Sequence, residues 1–285
     1  MSQDVIRRGK YIVVDGIDGG GKTTLFGSLK EEFPFLGDVD KGTNSNSAKN
    51  GYEFIYTREP GGTPLGESLR PLILSEPMDR FSEMCLFMAQ RKEVRVMLEP
   101  YLNRGTHVIS DRSESASFAY QIRGRRLQHL ENIFWEMNRN LAPFPTMYIF
   151  LDIPPSIAFE RLNNRGENVT RDVFEKEKIE YFEKVRKGFL EFPSKVKTSC
   201  IFVCATNSKE RVASEVIVHI KQHISLGFLI LKRDMNTGLV FLFLYVKIKC
   251  NHIGCIYLID KISPATPDLL SCNVYILNLY GEQHR

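Results

Sequence analysis

The sequence has no strong excess of either charge and no long apolar run. Its 38 basic and 34 acidic residues among 285 leave a formal net charge of +4. That balance does not indicate a nucleic-acid partner, and we expect none, whereas a modest positive excess suits an enzyme that handles phosphates. The apolar run at residues 238–246 is far shorter than the roughly 20 residues that cross a bilayer, so we expect no transmembrane segment.

Cysteine is also scarce, and its spacing fits no metal site. The six cysteines are scattered and lie mostly in apolar runs, so we expect buried free thiols. Cys250 and Cys255 flank His252, but one histidine and two unevenly spaced cysteines do not form a zinc-binding pattern. Residues 1–10 are charged and lack the apolar centre of a signal peptide. These absences favour a reducing, cytoplasmic location.

What the sequence does have is an alternation of apolar runs and helical spacing over residues 1–224. Five apolar runs are suitable for buried strands, and the clearest helical spacing lies in three segments between or after them. The predicted strands are residues 11–14, 54–56, 107–110, 147–151 and 201–204, and the predicted helices are residues 23–33, 79–102 and 208–223. Strands separated by helices indicate a parallel sheet with helices on both faces. We therefore predict a three-layer α/β fold around a five-stranded parallel sheet.

Two segments have a different composition. Residues 37–51 are rich in Gly, Asn, Ser and Lys, which predicts a flexible surface insertion. Residues 225–285 are apolar and irregular, and we predict them to form a C-terminal extension to a domain of residues 1–224. Their β-branched and aromatic content favours an additional hairpin packed on that domain, with a peripheral membrane or partner contact as the alternative.

The first predicted strand leads into a glycine-rich loop that opens a helix. Gly16, Gly21, Lys22 and Thr23 have the spacing G-x-x-x-x-G-K-T of a P-loop. Glycines let backbone N–H groups converge on phosphate oxygens, the lysine places a cation near the β- and γ-phosphates, and the threonine hydroxyl can coordinate Mg²⁺. The loop therefore predicts a P-loop NTPase fold that binds ATP, with Mg²⁺ as cofactor. The predicted ATP-binding residues are Gly16, Ile17, Asp18, Gly19, Gly20, Gly21, Lys22, Thr23 and Thr24.

A P-loop predicts a nucleotide but not a reaction, which must be inferred from the rest of the chain. Four further segments follow in order: TREPGGT at residues 57–63, LFMAQR at 86–91, Asp111-Arg112, and AYQ at 119–121. Together with the P-loop, these segments resemble the bacterial-type thymidylate kinases, from about Lys10 to His223. The resemblance implies transfer of the γ-phosphate of ATP to dTMP to give dTDP, with ATP as co-substrate. It also implies a homodimer formed by helices beside the acceptor site, for which residues 81–97 are suitable.

The resemblance assigns acceptor contacts to residues that are far apart in sequence. Arg58 would bind the dTMP phosphate, Phe87 would stack on thymine, and Asp18 would bond the 3′-hydroxyl of the sugar. Arg91 lies four residues after Phe87 on the same helix face and would contact the base or the phosphate. Without the resemblance, Arg58 could pair with Glu59 at the surface and Phe87 could be a core aromatic. The implied dTMP-binding residues are Asp18, Arg58, Phe87, Arg91, Arg112, Tyr120 and Gln121.

The loop after the third predicted strand both follows and departs from the family pattern. A carboxylate at Asp111, ending a strand beside the P-loop, can hold Mg²⁺ through water, and Arg112 can reach an acceptor phosphate. The family usually has an aromatic residue or a histidine next, and a serine three residues further on. This chain has Ser113 and Ala116 at those positions, so we expect weaker or rearranged acceptor contacts from this loop.

The cation that stabilises the transferred phosphoryl group is expected on a lid at residues 161–172. Gly19 and Gly20 occupy the P-loop positions at which some family members carry an arginine, so the lid must supply it. The implied catalytic residues are Lys22, Asp111 and the lid arginines Arg165 and Arg171, with Arg161 as a third lid candidate. These arginines could instead form a solvated basic helix end. A closed lid would also exclude water and suppress ATP hydrolysis, and adenine is expected near residues 205–207.

Two other functions stay open at this point. One is a different nucleoside monophosphate kinase, acting on UMP, CMP or dUMP, or a deoxynucleoside kinase. Phosphate-binding arginines fit a monophosphate acceptor better than an uncharged nucleoside. The other is a non-catalytic nucleotide-binding relative, which the substitutions at Ser113 and Ala116 and the C-terminal extension leave open.

Overall fold

A computed structural model of the chain describes residues 8–33, 35–38, 53–164, 172–225, 232–233 and 240–241. By its internal contacts the chain divides into two units, Met1–Ile224 and Ser225–Arg285. In the second unit, two short strands, Lys232–Arg233 and Val240–Phe241, pair in antiparallel fashion. Within the described ranges, no helix is both long and apolar enough to cross a bilayer.

The first unit is built on a sheet of six strands. They are β1 (Tyr11–Asp15), β2 (Phe35–Asp38), β3 (Phe54–Arg58), β4 (His107–Asp111), β5 (Met147–Asp152) and β6 (Ser199–Cys204). Their order across the sheet is β2-β3-β4-β1-β5-β6, and every neighbouring pair is parallel. All five predicted strands are present, which confirms the α/β fold with a parallel sheet.

The edge strand β2 is absent from the sequence-based prediction. Its four residues, FLGD, include Gly and Asp, which are uncommon in strands, so the predicted flexible insertion begins at residue 37. Residues 37 and 38 belong to β2 instead, in which Phe35 pairs with Phe54 and Asp38 pairs with Tyr56, with an irregular register between them. Residues 39–51 of the predicted insertion lie outside the described residues.

Helices occur between the strands. They are α1 (Lys22–Glu32), α2 (Pro64–Ser75), α3 (Arg80–Asn103), α4 (Glu114–Ser117), α5 (Glu131–Arg139), α6 (Pro155–Asn163), α7 (Ile179–Glu191) and α8 (Lys209–Ser225). A π-helix, Phe118–Gly124, follows α4 directly, and short 3₁₀ turns lie at Gln128–Leu130 and Phe192–Lys195. The three predicted helices correspond to α1, α3 and α8, with ends shifted by one or two residues.

Two helices near the site begin at side-chain caps. The Thr63 hydroxyl accepts a hydrogen bond from the Gly66 N–H at 3.0 Å, and Pro64 occupies the first helical position of α2. The Asp79 carboxylate accepts hydrogen bonds from the N–H groups of the first residues of α3, including Phe81 at 2.9 Å. These caps fix the starts of the two helices that carry the cleft-facing side chains described below.

The central strands are covered on both faces, and the carboxyl edge of the sheet gathers the predicted site segments. Successive strand residues point to opposite faces, and all five residues of β1 are buried. The P-loop follows β1, while Arg58 is the register partner of Asp111, and Asp111 pairs with Val14 of β1. Ligands of open parallel sheets bind at this edge. The fold therefore places the P-loop, Arg58 and Asp111 side by side.

Candidate active site

The P-loop closes around the side chain of Lys22. Its Nζ donates hydrogen bonds to the carbonyl oxygens of Gly16 at 2.8 Å and Ile17 at 3.1 Å, and lies 3.8 Å from the Asp18 carboxylate. Burial lowers the pKa of the Lys22 ammonium; the neighbouring Arg112 adds to that shift, and Asp18 opposes it. The ammonium is held at the centre of the loop, where a phosphate oxygen could replace a carbonyl as its partner.

Three glycines of the loop adopt backbone conformations that other residues avoid. Gly16 has φ +136°, Gly19 has φ +82° and Gly21 has φ +90°, all in the range that favours glycine. A Cβ atom on Gly19 would lie 2.4 Å from the carbonyl oxygen of Ala158, on α6. The loop as folded here therefore has no room for a side chain at residue 19, one of the two positions, Gly19 and Gly20, at which the resemblance implies an arginine in some family members.

Arg112 links the P-loop to the loop after β4. Its guanidinium pairs with the Asp18 carboxylate, lies 3.4 Å from Asp15 Oδ1, and stacks over the Tyr120 ring at 4.9 Å from the centroid. Its φ is +75°, in the left-handed region that a residue with a side chain rarely adopts. Its N–H bonds the Val14 carbonyl at 3.0 Å, so both main chain and side chain hold this conformation.

Asp15 is a buried acid beneath the P-loop. Its carboxylate accepts hydrogen bonds from the Gly16 N–H at 2.9 Å and from the Ser115 hydroxyl at 2.6 Å. Burial raises its pKa to about 6, although Arg112 and Lys22 act in the opposite direction. Asp15 has no separate signal in the sequence, because an acidic residue at the end of a strand adds nothing to the P-loop pattern.

Tyr120 and Asp18 are the closest link between the π-helix and the P-loop. The Tyr120 hydroxyl donates to Asp18 Oδ2 at 2.8 Å and accepts from the Asp18 N–H at 3.0 Å. The Asp18 carboxylate is therefore turned toward the side of the cleft that holds Tyr120 and Arg112. Tyr120 and Arg112 are both implied dTMP-binding residues, so this is the side of the cleft on which we expect dTMP.

Arg58 extends from the end of β3 and pairs with Glu67 of α2, not with Glu59. Its Nε and Nη2 donate to the two carboxylate oxygens of Glu67 at 3.2 and 2.8 Å, and its side chain is 48% exposed. Arg70, three residues further along α2, donates to the Pro60 carbonyl and lines the same cleft. Arg70 is not predicted from the sequence, because a single arginine within a helix belongs to no motif.

Arg91 lies behind the wall of the cleft. Its Nε is 2.6 Å from Glu59, and its Nη2 donates to the Ser113 carbonyl at 3.1 Å and the Ser117 hydroxyl at 2.8 Å. Arg91 points toward Glu59 because this carboxylate is itself buried and requires a neighbouring positive charge. In this conformation Arg91 does not line the cleft, and its predicted contact with dTMP stays a prediction.

Three aromatic rings line another part of the cleft. The Phe174 centroid lies 6.0 Å from that of Phe87 and 5.8 Å from that of Tyr120, both in edge-to-face geometry. Phe87 is almost fully buried, so it belongs to the core and to the cleft wall at once. Phe174 is not predicted from the sequence. It follows the predicted lid, and only the tertiary fold brings it next to Phe87 and Tyr120.

Asp111 ends β4 and faces the cleft next to the P-loop. Its Oδ1 is buried and has no hydrogen-bond partner among the described residues, and Thr23 lines the same cleft at the start of α1. Within the described ranges, no group of three or more His, Cys, Asp or Glu could hold a metal. Mg²⁺ typically takes one or two carboxylates and completes its shell with water and phosphate oxygens. The free carboxylate oxygen and the hydroxyl fit that requirement.

Arg161 reaches the P-loop from α6. Its Nη1 donates to the Gly19 carbonyl at 3.4 Å and its Nη2 to the Ala205 carbonyl at 3.1 Å. It thus joins the P-loop to the segment after β6 that is expected near adenine. Arg165 and Arg171 lie outside the described residues.

These groups surround a cleft of about 1040 Å³. Ligand pockets typically occupy roughly 300–1,000 Å³, so this cleft is at the upper end of that range. The predicted site residues that line it are Asp18, Gly19, Gly21, Lys22, Thr23, Thr24, Arg58, Phe87, Asp111, Arg112, Tyr120 and Gln121, together with Arg161. Gly16, Ile17, Gly20 and Arg91 lie outside its lining.

Comparison with known proteins agrees with this geometry. A family model described as thymidylate kinase matches residues 14–216. This chain belongs to the thymidylate kinase family. The thymidylate kinase of Nitrosomonas europaea is 37% identical over 201 residues, which cover 67% of this chain and 85% of that protein. That of Burkholderia cenocepacia is 35% identical over 211 residues, which cover 73% of this chain and 95% of that protein. That of Methylobacillus flagellatus is 38% identical over 186 residues, 64% of this chain and 82% of that protein.

In this member of the thymidylate kinase family, Ser113 and Ala116, the two positions that depart from the family pattern, have different surroundings. Ser113 is buried, and its hydroxyl accepts a hydrogen bond from Arg95 at 2.6 Å. The Arg95 guanidinium stacks over the Tyr11 ring at 4.8 Å, so these two side chains pack beside the small serine. Ala116 lines the cleft with a methyl group where the family usually has a hydroxyl. The expectation of weaker or rearranged acceptor contacts stays a prediction, and it now concerns Ala116.

Proposed function

We propose that this chain transfers the γ-phosphoryl group of ATP to dTMP, giving dTDP and ADP. An oxygen of the acceptor phosphate attacks the γ-phosphorus in line, and the bond from that phosphorus to the β–γ bridging oxygen breaks. No general base is needed, because the acceptor oxygen is already ionised. The observation that best supports this reaction is that Lys22, Arg58 and Arg112 line one cleft.

On the ATP side, the P-loop binds the phosphates. Its backbone N–H groups and the positive end of α1 face the phosphate oxygens, and Lys22 moves from the loop carbonyls to the β- and γ-phosphates. Mg²⁺, held by Thr23 and through water by Asp111, would neutralise part of the phosphate charge. Adenine lies near residues 205–207, beside the Arg161 side chain.

On the acceptor side, three arginines bind the dTMP phosphate. Arg58, Arg70 and Arg112 all line the cleft, and a guanidinium can donate two parallel hydrogen bonds to a phosphate. Arg58 is half exposed, so leaving Glu67 for a phosphate costs little, since exposed ion pairs contribute at most about 1 kcal/mol. Arg112 adds a cation that is already fixed against the P-loop.

The remaining acceptor contacts hold thymine and the sugar. Phe87, Phe174 and Tyr120 form the aromatic part of the wall, against which thymine stacks. The Asp18 carboxylate accepts a hydrogen bond from the 3′-hydroxyl of the sugar. Gln121 lines the same side of the cleft, next to Tyr120 in the π-helix.

Charge on the transferred group is stabilised by Lys22 and by a lid arginine. Arg165 and Arg171 are the proposed lid residues, with Arg161 as the third candidate. A lid that closes over both substrates would exclude water from the γ-phosphate, which favours transfer over hydrolysis.

We further propose that the chain works in the cytoplasm as a homodimer. Phe81 and Val96 are exposed on α3, within the predicted contact region of residues 81–97. Large apolar side chains on one helix are suited to the buried centre of an interface. Residues 1–224 carry the activity, and residues 225–285 are an extension to that domain.

An acceptor panel on the full chain tests the proposed function. ADP formation would be measured with dTMP, dUMP, UMP, CMP and thymidine, and we expect the highest kcat/KM for dTMP. Turnover of UMP or CMP without turnover of dTMP would assign a different nucleoside monophosphate kinase. Tight calorimetric binding of dTMP without ADP formation would identify a non-catalytic relative.

A further inference from the structure

Gln121 is a buried amide with one end bonded and the other end free. It lies in the π-helix Phe118–Gly124, is 1% exposed and lines the cleft. Its Nε2 donates a hydrogen bond to Glu83 Oε1 at 2.9 Å, while its Oε1 has no hydrogen-bond partner among the described residues. A buried carbonyl oxygen without a partner is unfavourable, so a ligand that donates a hydrogen bond to this oxygen is favoured.

Glu83 determines which end of the Gln121 amide has no partner, because it accepts the hydrogen bond from Nε2. It is buried on α3, and its Oε2 lies 3.2 Å from the Nε of Arg125. Burial raises the pKa of Glu83, and Arg125 opposes that shift because it stabilises the carboxylate. A carboxylate accepts hydrogen bonds and donates none. Turning the Gln121 amide round would bring two oxygens together in a buried space and lose the existing bond.

Arg125 holds Glu83 through both carboxylate oxygens, with its Nε 3.4 Å from Oε1 and 3.2 Å from Oε2. Its guanidinium lies 5.1 Å from the ring centroids of both Phe174 and Tyr181, which fixes it between two aromatic side chains. Both neighbours of the carboxylate therefore donate into it. The result is that, on a residue that lines the cleft, the Gln121 oxygen is the end of the amide left without a partner among the described residues.

We propose that Glu83 is a positioning residue for base selection: by orienting Gln121, it requires the acceptor base to present an N–H group at this wall. The inference rests on the proposed function. Thymine and uracil carry such a donor at N3, whereas cytosine in the same pose would present a lone pair to the Gln121 oxygen. The arrangement therefore separates thymine and uracil from cytosine and does not separate thymine from uracil.

Glu83→Gln tests the inference, because it removes the fixed acceptor with almost no change in side-chain size. An amide at residue 83 can donate or accept, so Gln121 is free to present either end to the base. We expect the ratio of kcat/KM for dTMP to that for dCMP to fall roughly tenfold or more, the effect of one hydrogen bond. The dTMP to dUMP ratio should stay within about threefold of wild type. A dTMP to dCMP ratio unchanged in the folded variant would overturn the inference.

Glu177→Gln is the matched control. Glu177 pairs with the same Arg125 but has no hydrogen bond to Gln121 among the described residues, so its variant should keep the wild-type preference. The exchange variant Glu83→Gln/Gln121→Glu keeps the charge of this pair, and again turns an accepting oxygen toward the cleft. It should prefer dTMP over dCMP as wild type does, and it serves as the test even where E83Q does not fold. An exchange variant without that preference contradicts the role of Glu83.

Failure of the proposed function has a different signature. A wild-type chain that forms no ADP with dTMP contradicts the kinase assignment. Calorimetric competition between dTMP and dCMP on the full chain still measures base preference in that case. A wild-type chain that turns over dTMP, beside an E83Q variant of unchanged preference, contradicts the inference alone.

Discussion

Arg91 and Glu59 form an ion pair in which each side chain is only 1% exposed and Nε lies 2.6 Å from Oε2. Glu59 follows β3 directly after Arg58, and Arg91 also bonds the carbonyl of Ser113, next to Arg112. One guanidinium therefore connects the segments that supply Arg58 and Arg112, two of the three proposed phosphate-binding arginines. Its effect on the acceptor in this conformation is indirect, through the positions of those segments.

Glu59→Gln should destabilise the fold strongly. It removes the negative charge beside a buried guanidinium, which typically costs about 3 kcal/mol or more of unfolding free energy. Chemical denaturation at pH 7 measures this loss. Glu136→Gln is the control, because its pair with Arg139 is 3.5 Å long and largely exposed, and it should cost less than about 1 kcal/mol. Equal losses in the two variants would show that burial is not the deciding factor.

Gly19→Ala should weaken both the fold and ATP binding. The added Cβ meets the Ala158 carbonyl in a left-handed backbone conformation, and such strain costs roughly 1–3 kcal/mol. Gly27→Ala, on α1, is the opposite case, because a Cβ there meets no described atom within 4 Å. It should stabilise the helix by roughly 0.5–1 kcal/mol. Thermal unfolding with and without ATP measures both, and a neutral Gly19→Ala would contradict the tight contact.

Arg58→Ala should affect activity far more than stability. A hydrogen bond to a charged group contributes about 1.5–3 kcal/mol, so loss of this donor to the acceptor phosphate should lower kcat/KM for dTMP roughly tenfold to a hundredfold. The unfolding free energy should change by less than about 1 kcal/mol, because the pair with Glu67 is half exposed. Glu67→Gln keeps Arg58 in the cleft and should retain most activity. A large loss of stability in Arg58→Ala would assign this arginine a structural role.

Acid should destabilise the fold through His107 and His223. Burial lowers the pKa of each imidazole to about 4, below the ordinary value of 6.5. His107 Nδ1 accepts the Lys10 N–H at 2.9 Å, and His223 Nε2 lies 2.8 Å from the Thr146 hydroxyl. Between these pKa values the unfolded chain binds more protons, so this stability is complete above pH 6.5 and is lost as the pH falls toward 4.

Denaturation curves from pH 7 to pH 5 check this prediction. Carboxylates of ordinary pKa change little in that range. Burial raises the pKa of Asp15 to about 6 and also raises the pKa values of Glu59, Glu83 and Asp172, and these acids act in the opposite sense to the histidines, so a histidine variant is compared directly with wild type. The double variant His107→Gln/His223→Gln should show a flatter dependence than wild type. Parallel curves for the two proteins would contradict the assignment.

The sequence predicts those parts of the molecule that depend on local pattern. The runs that form β1, β4 and β5 are apolar because those strands are buried on both faces, and the P-loop spacing is itself a geometric requirement. Side-chain pairing is different, because it depends on neighbours that the fold brings in. Arg58 meets Glu67 across a turn into α2, and Phe174 reaches Phe87 from a distant part of the chain. Neither contact has a signal in the linear sequence.

Arg112 touches the P-loop through Asp15 and Asp18, yet it belongs to the loop proposed to bind the acceptor phosphate. A group shared by two sites makes the occupancy of one change the free energy of binding at the other. Thermodynamic linkage requires the effect to be mutual. The factor by which bound dTMP changes the affinity for ATP equals the factor by which bound ATP changes the affinity for dTMP. An Arg112 variant would therefore change both affinities together.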